Sequence, residues 1–79
     1  MYYWKFNNGH FRITKTYDGW LLSIHMEDGI WDKLGYYLTP QAAADDVYHL
    51  DPEYDLPFEI NLSTPLPMDL SEWEKLQSL

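Results

Sequence analysis

Three glycine-bearing turn signals, Asn7 to Gly9, Asp18-Gly19 and Glu27 to Gly29, follow one another at intervals of about ten residues. Tight turns this close together leave room only for short strands, and short strands joined by tight turns run antiparallel. The first half of the chain is therefore expected to be a meander. The clearest strand is Trp20 to Met26, where Trp20, Leu22, Ile24 and Met26 alternate with Leu21, Ser23 and His25. That period of two places one set of side chains in a core and the other set on the opposite face. Phe11, Ile13 and Tyr17 alternate with Arg12, Thr14 and Thr16 in the strand before it, and only Lys15 interrupts the pattern. The stretch around Ile30 to Leu38 is less regular, with Gly35 marking a bulge or a close backbone approach.

After Leu38 the period changes. Thr39 suits a helix N-cap, Pro40 the first helical position, and three alanines follow at 42–44. A helix to Leu50 would put Ala43, Val47 and Leu50 on one face, with Ala44 and Tyr48 beside it and Asp45 and Asp46 outward. Pro52, Pro57, Pro65 and Pro67 then interrupt any long helix, although Phe58 to Leu62 has the composition of a short edge strand. Asp69 with Glu72 has the spacing of a capping box, and Met68 can staple onto Trp73, which predicts a short terminal helix with Leu70, Trp73 and Leu76 on one side. The expected fold is α+β: a three- to four-stranded antiparallel β-meander packed against one α-helix, plus a short C-terminal helix. Within one domain, 1–38 form the meander, 39–50 the helix, 51–67 a proline-rich acidic connection and 68–79 the terminal helix.

Seventy-nine residues close a single core, and a core this small supplies only about 3–5 kcal/mol without help from a disulfide, a metal or a partner. The chain has no cysteine, which removes disulfides, thiolate metal sites and cysteine nucleophiles, and it compensates with 18% aromatic residues. A well-packed monomer and a weak homodimer both fit that composition. The opening segment, MYYWKFNNGH, has neither an apolar stretch nor a small-residue cleavage site. The longest uncharged run, between Lys33 and Asp45, falls well short of the ~18 apolar residues of a membrane span. A cytoplasmic protein with no membrane partner is the expectation.

The formal net charge is −8 and is unevenly placed. Through Lys33, four basic residues balance four acidic ones, whereas from Leu34 onward nine acidic residues face Lys75 alone. Nucleic-acid binders usually carry the opposite sign. Asp51, Glu53 and Asp55 have the alternate spacing that opens a calcium loop, but Leu56 and Leu62 stand where such a loop needs glycine and glutamate. They are better read as an acidic turn. His10, His25 and His49 have no paired metal-ligand spacing. Ser23 and His25 are neighbours on one strand face without a third member or a glycine elbow, and no glycine loop is built to cradle phosphate. No catalytic residue, metal or cofactor is assigned.

Adjacent aromatics supply the strongest pointer to a binding surface. Tyr2, Tyr3 and Trp4, and again Tyr36 and Tyr37, alternate across a sheet and cannot all be buried on one side. The expected role is a non-enzymatic protein-interaction module, its contacts carried by Asp45, Asp46, Asp51, Glu53, Asp55, Tyr2, Tyr36 and Tyr37. An alternative is a DNA mimic whose carboxylates occupy a basic protein's nucleic-acid site. A further one is weak nucleic-acid binding through Arg12, Lys15 and Lys33 on the sheet.

The order of strands followed by the Thr39-Pro40 alanine-rich helix resembles, over about half the chain, the plant ethylene-response DNA-binding domain and integrase arm domains. Those families read DNA with basic residues on the sheet, and the acidic balance here departs from that pattern. The segment from Thr39 to Leu50, followed by Pro65 to Trp73, is also similar to small uncharacterised bacterial and phage proteins with the same helix and a Pro-x-Asp-Leu-Ser-x-Trp-like tail. That resemblance, over roughly residues 18 to 76, implies a fold type and no activity.

Overall fold

The computed structural model describes residues 1–49 and 65–76. Four strands, β1 (Tyr2–Phe6), β2 (Gly9–Lys15), β3 (Trp20–Met26) and β4 (Trp31–Tyr37), form the expected antiparallel meander. Its turns fall on the three glycine-bearing segments. Thr16 N–H donates to the Gly19 carbonyl at 2.8 Å in the second turn, so Tyr17 belongs to the turn and is fully exposed rather than continuing β2. In the third, Met26 N–H donates to Ile30 O at 2.7 Å, Asp28 Oδ1 accepts from Ile30 N–H, and Gly29 takes φ +93°. That conformation disfavours a side chain.

The register of β4 slips between Leu22 and Ser23: Leu22 pairs with Gly35 and Ser23 with Lys33, which leaves Leu34 as an extra residue. Gly35 beside it has room for the Tyr37 ring, which lies where a β-carbon would come within 2.9 Å of the hydroxyl and 3.2 Å of the ring. The bulge and the close approach foreseen at Gly35 are thus both present.

Among the described residues one α-helix, α1 (Pro40–Tyr48), packs across one face of the sheet. Thr39 caps it through Oγ1, which accepts from Ala42 N–H at 3.1 Å. Ala43, Ala44 and Val47 are fully buried against Phe11, Ile13, Leu22 and Ile24 of the two central strands. The small alanines let the helix axis come close, and each large apolar side chain so buried contributes about 1.5–3 kcal/mol. Leu50, expected on that face, and the Phe58 to Leu62 strand both lie outside the described residues.

The C-terminal segment differs from a continuous helix. Asp69 caps a single 3-10 turn, Leu70–Glu72, its Oδ1 accepting from Ser71 N–H at 2.7 Å while Glu72 Oε2 accepts from Met68 N–H. The capping box forms, but the helix stops after one turn and β5 (Glu74–Lys75) follows. Two demands end it. Trp73 is buried against Phe11, with ring centroids 6.4 Å apart, and the open edge of β1 offers hydrogen bonds that an extended chain can use. Leu76 N–H donates to Met1 O at 2.7 Å, and the terminal amine returns a bond to Leu76 O at 3.1 Å. The described residues thus form a five-stranded sheet in the order β4-β3-β2-β1-β5.

Candidate functional site

Among the described residues, α1 covers one face of this sheet and the other face carries no helix. Strand alternation decides which side chains it presents. The cross-strand pairs Lys5–His10, His10–His25 and His25–Trp31 set one row, and Tyr3–Arg12, Arg12–Ser23 and Ser23–Lys33 set the next. Thr14, Leu21 and Tyr36 complete a third row. The face opposite the core is therefore polar, aromatic and basic at once.

The rings of the first row form a run. His10 and His25 are parallel to within 5°, with centroids 5.0 Å apart, and His25 and Trp31 are parallel to within 8° at 5.6 Å. Tyr3 meets His10 edge-on at 6.4 Å. Neighbouring strands lie about 4.8 Å apart, so rings standing on adjacent strands reach this spacing without distortion. Trp31 ends the run on edge strand β4 and is 54% exposed.

Arg12 organises the polar contacts. Its Nη2 lies 3.2 Å from His10 Nε2. A guanidinium can only donate, so Nε2 of His10 is the acceptor and the imidazole proton resides on Nδ1. Partial burial, then the charges of Arg12 and Lys5, push the His10 pKa down. Burial first, then Arg12 and then His10, brings the His25 pKa down to about 4. Both imidazoles are neutral at physiological pH. The face thus holds neutral planar rings beside the permanent charges of Lys5, Arg12 and Lys33.

Ser23 Oγ is 2.8 Å from His25 Nε2. This is the serine–histidine proximity visible in the sequence, yet Ser23 is only 3% exposed, and a base with a pKa near 4 draws a proton weakly at neutral pH. The contact satisfies a buried hydroxyl. The two imidazole Nε2 atoms that a metal would use are engaged by Arg12 and Ser23, and no group of three metal-ligating side chains occurs among the described residues.

Of the contact residues expected from sequence, Asp45 and Asp46 are exposed on α1 as foreseen. Asp45 Oδ1 accepts from the Gln41 amide at 2.8 Å, and Asp46 Oδ2 accepts from the Tyr37 hydroxyl at 2.5 Å. Tyr2 is half-buried on the helix side, with Lys75 Nζ 5.7 Å from its ring centre. Tyr36 is 63% exposed on the open side, and Tyr37 packs on the helix side. Both tyrosines border a shallow depression of about 560 Å³ with Asp18, Gly19 and Leu38. Asp51, Glu53 and Asp55 lie outside the described residues.

The basic trio expected on the sheet is rearranged. Arg12 and Lys33 share the open face, but Lys15 stands on the other, its Nζ 5.2 Å from the Trp20 ring centre. Lys5 takes its place, and His10, His25 and Trp31 join it. The interrupted alternation at Lys15 was itself the signal, since an unbroken period of two puts residue 15 with Ile13. Comparison with protein-family models, with curated proteins and with solved structures found no match.

Proposed function

We propose that this chain is a non-enzymatic interaction module that takes a negatively charged partner on the open face of its sheet. The observation that carries the reading is the parallel run His10, His25, Trp31 with Lys5, Arg12 and Lys33 around it. Among the described residues none of the three cations is held in an ion pair. Most carboxylates of the described residues lie elsewhere, on α1, in the turns or beside the 3-10 turn. Two sit on strands: Asp32 on β4, opposite Ile24 and so on the helix side, and Glu74 at the β5 edge, where it accepts from the Tyr3 hydroxyl at 2.5 Å. A face whose cations have no ion-pair partner among the described residues, with exposed aromatic surface beside them, fits an anionic partner with planar or apolar groups.

Two variants separate this reading from one centred on the carboxylates. Lys5→Gln, Arg12→Gln and Lys33→Gln together remove the cations, while Asp45→Lys with Asp46→Lys reverses the exposed helix face. Immobilised proteins are exposed to lysate and the bound material compared by mass spectrometry and nucleic-acid staining. Loss of a ligand only with the sheet variant supports the open face. Loss only with the helix variant overturns it in favour of the acidic surface.

A further inference from the structure

The geometry points to single-stranded nucleic acid as the occupant of the open face, with bases stacking on the Trp31 end of the ring run and phosphates meeting Arg12, Lys5 and Lys33. This rests on the reading of that face as the binding surface. Three observations narrow the ligand from any anion to this one.

The rings come first. Acidic peptides would satisfy three cations and leave a run of parallel rings, one end of it half-exposed at the sheet edge, with nothing planar to stack on. Bases use it, because every base has a π-face and stacking on aromatic side chains is tolerant of sequence. Second, the imidazoles are neutral in the run, so the charge is confined to lysine and arginine beside it rather than spread over the stacking surface. Third, a recess of about 260 Å³ beside the run is lined by Met1, Tyr3, Lys5, His10, Arg12 and Leu76. Such a volume is too small for a drug-sized ligand and suits one sugar-phosphate unit.

Duplex is a poor fit. Its bases are stacked on one another and offer no free face to the exposed Trp31 ring. The chain's net charge of −8 also opposes long polyanions at a distance, which restricts the footprint to the few nucleotides in contact with the cations. Affinity is accordingly expected at the weak end of the non-specific range, with a Kd on the order of 100 µM at physiological salt.

The test is a two-dimensional amide NMR titration at low salt of the whole chain with three octamers: oligo-dT, its abasic counterpart with the same phosphates, and octaglutamate. Oligo-dT is expected to shift the signals of Lys5, His10, Arg12, His25 and the Trp31 indole, and to bind more tightly than the other two. Log Kd should change with log salt by a slope of about 2, that of three phosphates on a single strand. Trp31→Ala, which alters a half-exposed edge residue, is expected to weaken oligo-dT about ten-fold, with the abasic strand unaffected. Equal binding of all three octamers, or oligo-dT affinity unchanged in Trp31→Ala, overturns nucleic acid as the occupant while leaving an anion-binding face. No shift on the face with any octamer overturns both.

Discussion

His25 stands between His10 and Trp31, and its protonation state governs more than its own ring. Folding brings its pKa from the ordinary 6.5 to about 4, chiefly through burial and then through Arg12. The folded state therefore binds fewer protons than the unfolded one. The stability associated with this neutral ring is fully present above pH 6.5 and is lost as pH falls through about 4. His10 acts in the same direction. Urea midpoints measured at pH 7 and pH 5 should fall for the wild type and fall less for His25→Gln, which keeps a polar partner for Ser23 but cannot charge. An equal fall in both proteins would mean that carboxylates, not this imidazole, set the acid limb. Tyr37 shows the opposite sign. Burial and the adjacent Asp46 raise its hydroxyl pKa well above the usual value, so the stability it confers is intact below pH 10 and declines as the solution becomes more alkaline. Tyr37→Phe removes the bond to Asp46 and should cost about 0.5–1.5 kcal/mol at pH 7, read from the denaturation midpoint.

Elements differ in how far their own residues determine them. The helix is local in origin: Thr39 supplies the cap, Pro40 the first turn and the alanines the propensity. Thr39→Ala should cost about 0.5–2 kcal/mol, and Thr39→Ser should restore nearly all of it, because only the oxygen that accepts from Ala42 N–H matters. The turns are equally local. At Gly29 the backbone has φ +93°, and Gly29→Ala should cost about 1–3 kcal/mol despite open space around the added methyl, a loss that thermal unfolding would register. These were the features legible in the sequence: meander, turns, bulge glycine, helix start. The terminal helix was not, since its capping box is satisfied by one turn and gives no signal of where the chain goes next. What decides that is a long-range demand, the core site for Trp73 beside Phe11 and the free edge of β1. The ring run was hidden for a related reason. His10, His25 and Trp31 are fifteen and six residues apart in sequence, and only the strand registers make them neighbours. Alternation assigned His25 to the face opposite the core, but not to its partners on the neighbouring strands.

At the scale of the whole molecule, the chain depends on a join between its two ends. Met1 and Leu76 exchange hydrogen bonds, β5 closes the β1 edge, and Trp73 seals the core from the same segment. The Trp73 indole N–H is buried with no acceptor among the described residues, and what those residues offer the side chain is the apolar area it covers. Trp73→Ala should lose about 3–5 kcal/mol, as buried aromatic truncations do. That equals the whole stability expected of a core this size, so the variant should be largely unfolded at 25 °C, with β3 amides losing hydrogen-exchange protection along with those of β5. Trp73→Phe keeps most of the area and should remain folded. If Trp73→Ala instead keeps β3 protected while only Leu76 and the β5 amides exchange freely, the meander and α1 hold without the tail. The open face would then stand on an autonomous four-stranded core, with the terminal segment a separable clasp.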